Sequence, residues 1–111
     1  MYRTHTCGEL TAKDLGNKAT LAGWVHRRRD HGGLIFIDLR DRYGLTQIVF
    51  NPAKSKELHD AAEALRGEYV IMVEGEVSQR PKGTENPKLK TGETEIIASK
   101  LTILKRRRFA A

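Results

Sequence analysis

The sequence predicts an all-β fold, a five-stranded Greek-key barrel with one helix between strands 3 and 4. Three observations predict it. Five separate runs are rich in aliphatic, β-branched and aromatic residues, and the clearest of them alternate in polarity with the period of two that a strand imposes. A single segment, between the third and fourth runs, repeats its apolar residues at helical spacing. Gly, Pro, Asn or Asp marks each boundary.

Residues 19–26 are small, β-branched or aromatic and form the expected first strand, which ends in Arg27-Arg28-Arg29. Side chains alternate between faces on a strand, so Arg27 and Arg29 share one face and Arg28 takes the other. Asp30-His31-Gly32-Gly33 reads as a turn. In the second strand, residues 34–40, Ile35, Ile37 and Leu39 share a face, while Phe36, Asp38 and Arg40 share the opposite one. At ~25 cal/mol per Å² of buried apolar area, three aliphatic side chains outweigh one ring, so Phe36 is expected outside the core. Asp41-Arg42-Tyr43-Gly44 is a tight turn, with Arg40 and Arg42 as expected ion-pair partners of Asp38 and Asp41. In the third strand, residues 45–50, Ile48 and Phe50 share a parity that Gln47 does not.

Asn51-Pro52 ends the hairpin and opens a helix in which Leu58, Ala61, Ala62 and Leu65 fall at i, i+3, i+4 and i+7, with Gly67 as its expected stop. Residues 69–77 form the fourth strand and residues 95–104 the fifth. Residues 80–92 hold two of the three prolines together with Gly83, Asn86 and Gly92, and are expected as an exposed loop.

Three strands, a helix and two more strands is the element order of the OB-fold, a barrel that binds oligonucleotides on one sheet face and its flanking loops. The 111 residues fit one domain, expected over 1–104 with 105–111 as a basic hinge or tail. Hydrophobic residues at 39% and charged residues at 31% describe a soluble globular chain, and its longest apolar run is far too short to span a bilayer. The first residues lack the apolar stretch of a secretory signal, so a cytoplasmic location is expected. The single cysteine, Cys7, excludes an internal disulfide and a multi-cysteine zinc site, and is expected to be an inert thiol.

A net charge of +6 favours polyanions, but four of those charges lie in Lys105-Arg106-Arg107-Arg108, and the body without them is only mildly basic. Position therefore carries the argument. Binding of single-stranded nucleic acid needs cations along the phosphates and flat side chains under the bases. Phe36 supplies a ring on the outer face, Arg27 and Arg29 lie on the preceding strand, and Gln47, whose amide both donates and accepts, lies on the following one. His5, His26, His31 and His59 show no metal-ligand spacing, and no nucleophile motif or phosphate loop is present, so neither a metal site nor a catalytic site is expected.

The run Gly23-Trp24-Val25-His26-Arg27-Arg28-Arg29-Asp30-His31-Gly32-Gly33-Leu34-Ile35-Phe36-Ile37-Asp38-Leu39-Arg40-Asp41-Arg42 closely resembles the N-terminal anticodon-binding domain of bacterial-type aspartyl-tRNA synthetases. The likeness continues through Gly44-Leu45-Thr46-Gln47, the loop Gly83-Thr84-Glu85-Asn86-Pro87 and Thr91-Gly92-Glu93-Thr94-Glu95. It implies that Phe36 stacks on an anticodon base, that Gln47 reads the middle uracil and that Arg29 contacts anticodon bases or backbone. Arg80 and Glu95 match positions that approach the outer anticodon bases. His31 and Gly83 together resemble the non-discriminating form, which charges both tRNA(Asp) and tRNA(Asn) with aspartate and relies on an amidotransferase downstream.

The resemblance further implies that the chain is the non-catalytic anticodon domain of a homodimeric class II aspartate–tRNA ligase. The domain itself would need no cofactor, while ATP and magnesium would belong to a larger catalytic domain. A free-standing OB-fold module for single-stranded DNA or RNA would use the same face without preferring one trinucleotide. A protein-binding OB scaffold would not need Arg29, Phe36 and Gln47 together.

Overall fold

A computed structural model describes residues 3–89 and 91–106. Five strands, β1 (Lys18–His31), β2 (Leu34–Asp41), β3 (Gly44–Phe50), β4 (Val70–Gln79) and β5 (Thr94–Lys105), close a barrel in the order β1-β2-β3-β5-β4. All pairings are antiparallel except β3 with β5, where Ile48 and Val49 run parallel to Ile96 and Ile97. One helix, α1 (Lys56–Glu63), connects β3 to β4, as the sequence pattern requires. Closure removes the unpaired sheet edges that an open five-stranded sheet would expose.

Inward-facing residues from every strand fill the barrel: Leu21 and Val25, then Ile35, Ile37 and Leu39, with Ile48, Phe50, Ile71, Val73 and Ile96 all essentially inaccessible. The expected register of β2 therefore holds, and Phe36 is excluded from the core cluster. Cys7 is also in that core, where burial and the neighbouring Asp41 carboxylate push its thiol far above its ordinary range. Such a group stays protonated and unreactive.

Several details differ from the expectation. β1 continues through the whole basic run to His31, so the turn shrinks to Gly32-Gly33, both at positive φ (60° and 82°), and His31 pairs with Leu34. Helix α1 is capped by Ser55, which accepts from the Leu58 N–H at 3.2 Å, but it ends at Glu63 rather than running to Gly67. Arginines terminate it: Arg28 donates to the Glu63 and Leu65 carbonyls, and Arg66 donates to the same two oxygens at 2.9 Å. Those carbonyls are the orphan acceptors of a helix end. Ala62 and Leu65 are buried and Leu58 packs against the core, whereas Ala61 is exposed because a helix this short presents only a narrow stripe.

The third difference concerns the acids of the β2–β3 turn. Asp38 pairs with Arg29 rather than Arg40. Asp41 is buried and makes no ion pair among the described residues; it accepts from the backbone N–H groups of Tyr43 (2.8 Å), Gly44 (3.1 Å) and Cys7 (2.9 Å). Fourth, the loop of residues 80–92 is exposed only along its tip. Arg80, Thr91 and Gly92 at its two stems are buried. At the C-terminal end β5 extends to Lys105, one residue beyond the expected barrel, and residues 107–111 of the basic tail lie outside the described residues.

Candidate nucleic-acid interface

A β-bulge builds the site. Val25 pairs with Leu39, but the next paired residue of β1 is Arg27, opposite Asp38, so His26 is an extra residue in the ladder. Simple alternation from Val25 would put Arg27 and Arg29 inward and Arg28 opposite Phe36. The inserted residue reverses this. Arg28 now pairs with Ile37 and reaches the end of α1, while Arg29 pairs with Phe36 on the outer face. Its guanidinium lies 5.5 Å from the centroid of the Phe36 ring, within cation–π range.

From that ring a polar chain crosses β2, β3 and β5. Arg29 donates through one nitrogen, Nη2, to Asp38 Oδ1 at 2.9 Å and to Gln47 Oε1 at 2.8 Å. Gln47 Nε2 then donates to Glu95 Oε1 at 2.9 Å. Gln47 is buried as a result, with one N–H and one acceptor lone pair left over in its inventory. The buried Nε–H of Arg29 has no hydrogen-bond partner among the described residues, an unusual condition for a buried donor.

Arg29, Phe36, Gln47 and Glu95 line a groove of about 430 Å³ together with Asp30, His31, Leu34, Val49, Arg80, Pro81 and Thr84, and Asp38 lies behind it. Six of the eight residues singled out in the sequence therefore converge on it: Arg29, His31, Phe36, Gln47, Arg80 and Glu95. Arg27 and Gly83 do not line it. Arg27 is exposed on the same outer face, opposite Asp38. Gly83 lies at the exposed loop tip with φ +92°, and its N–H donates to Glu85 Oε1 at 2.7 Å. Arg80 straps the loop onto β5, donating from Nε to the Thr94 carbonyl at 3.0 Å and from Nη1 to the Thr84 carbonyl at 3.4 Å. Asp38, which holds Arg29, was not singled out; its sign is that β2 alternation puts it beside Phe36, but the bulge that brings Arg29 to it has no marker in the sequence.

Charge inside the groove is balanced. Arg29 faces Asp38, and Arg80 lies close enough to Glu95 for each to act on the other's proton affinity. Burial pushes the Glu95 carboxyl above its usual range, and the Gln47 hydrogen bond and then Arg80 pull part of that back. Burial also lowers Arg80, opposed by Glu95 and Asp38. The folded chain thus binds the Glu95 proton more tightly than the unfolded chain does. Glu95 accordingly favours folding most in acid, and that contribution falls as pH rises through its raised value. Glu95→Gln is expected to flatten this part of the stability curve in urea melts taken upward from about pH 4, where an unfolded glutamate ionises. An unchanged slope would show that Glu95 titrates as an ordinary carboxyl.

No metal ligands were expected. Among the described residues one group, His59, Asp60 and Glu63 on α1, brings ligand atoms within 4.8 Å of one another, and both acids are exposed. The imidazole Nδ1 lies 3.6 Å from an oxygen of each carboxylate, on the surface of a single helix. No helix among the described residues is long and apolar enough to cross a membrane.

A family model described as the OB-fold nucleic acid binding domain matches residues 19–104, from the second residue of β1 to the penultimate residue of β5. The chain belongs to that family. Among curated relatives, this OB-fold domain is 61% identical over 103 residues to an aspartate–tRNA(Asp/Asn) ligase of Rubrobacter xylanophilus, covering 93% of this chain and 17% of that protein. It is 60% identical over 103 residues to the protein of the same name in Dictyoglomus turgidum, with the same coverage. The chain thus spans about a sixth of the length of the curated relatives it matches. Among solved structures, asparaginyl-tRNA synthetase from Pyrococcus horikoshii complexed with asparaginyl-adenylate superposes with a TM-score of 0.78 at 28% identity, over 95% of this chain and 23% of that one. OBody AM3L15 bound to hen egg-white lysozyme gives the same TM-score at 26% identity, over 96% of this chain and 97% of that one.

Proposed function

We propose that this OB-fold domain binds the anticodon loop of tRNA on the outer face of β2 and β3, as the anticodon-recognition part of an aspartate–tRNA ligase. The observation that carries the reading is the Arg29–Phe36 pair at the groove, continued by Gln47 and Glu95. A ring outside the core with a guanidinium beside it offers a base a stacking surface and an adjacent cation. Gln47 is held from both ends of its amide, so its remaining N–H and lone pair are fixed in direction before any base arrives, which suits it to the middle uracil. Glu95 and Arg80 form the adjoining walls toward the outer bases. The names of the 61% and 60% identical relatives supply the amino acid. ATP, magnesium, a homodimeric partner and a cytoplasmic setting belong to this proposal for the wider protein.

The finer reading is the non-discriminating form, acting on tRNA(Asp) and tRNA(Asn) with an amidotransferase downstream. His31 is exposed at the groove, where an imidazole donates or accepts, and Gly83, outside the groove lining, presents no side chain at the tip of the loop that carries Pro81 and Thr84. Such a pair tolerates cytosine or uracil at the third anticodon position, the only anticodon base by which the two tRNAs differ. Titration of two stem-loops identical except at that base tests it, with near-equal affinities expected. A preference for cytosine beyond about tenfold, ~1.4 kcal/mol, would overturn it. Chemical-shift mapping with either stem-loop should perturb Phe36, Gln47 and Glu95; perturbation confined to other faces would overturn the placement of the interface.

A further inference from the structure

Because the groove's arginines are answered by carboxylates, the phosphates of an RNA must find their cations elsewhere. At the opposite end of the β2–β3 hairpin from the groove, the exposed Tyr43 ring gathers two guanidiniums, Arg3 at 5.4 Å and Arg42 at 5.6 Å from its centroid. Arg3 and Arg42 are exposed, and neither makes an ion pair among the described residues. Two like charges drawn to one ring repel each other, and cation–π attraction offsets only part of that. An anion between or beside them would relieve it.

The cluster is a built platform. Buried Asp41 ties the turn to the N-terminal segment, since one carboxylate oxygen takes the Tyr43 and Gly44 N–H groups and the other takes the Cys7 N–H. The Thr46 hydroxyl adds a bond to the Cys7 carbonyl at 2.6 Å. Gly8 and Gly44 allow the two segments to touch: a Cβ on Gly8 would lie 2.2 Å from the Tyr43 carbonyl oxygen, and one on Gly44 2.7 Å from Gly8 Cα. Arg3 is thereby held beside Arg42 although the two are far apart in sequence. Between this platform and the groove, Arg27 and Arg40 are exposed on the same outer face of β1 and β2, again without an ion pair among the described residues.

We propose that Arg3, Arg42 and Tyr43 form a second contact for RNA, a phosphate-binding patch that takes the backbone leading away from the bases held at Phe36. Strand geometry places the end of β2 about 16 Å from Phe36, at five residues of ~3.3 Å, so the backbone the patch meets is that leading to the stem rather than that of the stacked bases. Arg27 and Arg40 mark the route. This inference rests on the anticodon-loop reading of the groove, and the two fail differently.

The test is fluorescence anisotropy of the 111-residue chain with an aspartate-type anticodon stem-loop and, separately, with an oligonucleotide of the loop alone. Arg3→Ala combined with Arg42→Ala is expected to weaken the stem-loop about tenfold at low salt and to reduce the slope of log K against log salt by about 1 to 2, leaving the loop-only affinity within about twofold. Arg42→Lys should keep most of the affinity, because a phosphate contact needs charge more than shape, and Lys100→Ala on β5 should change neither RNA. Parent-like affinity and salt slope in the double variant would overturn the patch, as would an equal loss on both RNAs. Phe36→Ala that weakened neither RNA would instead overturn the groove reading, a separate result.

Discussion

Phe36→Ala is expected to weaken binding of an aspartate-type anticodon stem-loop by ~1–3 kcal/mol, about five- to 150-fold, with thermal unfolding still cooperative. The ring lies outside the core cluster, so its removal opens no cavity inside the barrel. What is lost is the stacking surface and the partner of the Arg29 guanidinium. Phe36→Tyr should retain most of the affinity, since a phenol keeps the π-face. A variant that unfolds broadly, or loses tens of degrees of stability, would mean that Phe36 supports the fold and that the face has been misassigned.

Asp41→Ala should cost ~3 kcal/mol of stability, because it strands three backbone donors at a buried junction, and should lower the melting temperature by on the order of 10–15 °C. Asp41→Asn should cost less but not nothing. Its carbonyl can serve the turn, while its amide cannot accept from the Cys7 N–H. A loss below about 1 kcal/mol for the alanine variant would show that water readily replaces the carboxylate, and would remove the structural basis for holding Arg3 beside Arg42.

Most of the barrel was legible because its code is periodic. β2 announces both its faces through Ile35, Ile37 and Leu39 against Phe36, Asp38 and Arg40, and burial follows that division. Gln47 was separable from Ile48 and Phe50 by parity alone. It was nevertheless not readable as buried, because its burial comes from Arg29 and Glu95 closing over it rather than from an apolar face. The helix end was misplaced at Gly67 because the usual glycine stop is overridden by arginines reaching the last carbonyls, one of them from β1. Glu68, not Gly67, takes the positive φ of 71°.

The bulge at His26 illustrates the limit more sharply. It decides which arginine meets Phe36, yet one extra residue in a ladder is a property of pairing between strands and leaves no mark on either strand alone. Likewise Asp41 looked like an ion-pair partner of its neighbours Arg40 and Arg42. Its role as an acceptor for Cys7 depends on the N-terminal segment folding back across the turn.

The central claim is that this face reads an aspartate-type anticodon. Competition between a labelled aspartate-type stem-loop and unlabelled stem-loops of the same stem with scrambled loop sequences tests it most directly. A requirement for about tenfold or more of each scrambled competitor, relative to the unlabelled cognate, is the predicted result. Equal competition by cognate and scrambled loops would contradict it, and would make the domain a binder of single-stranded RNA without a preferred trinucleotide.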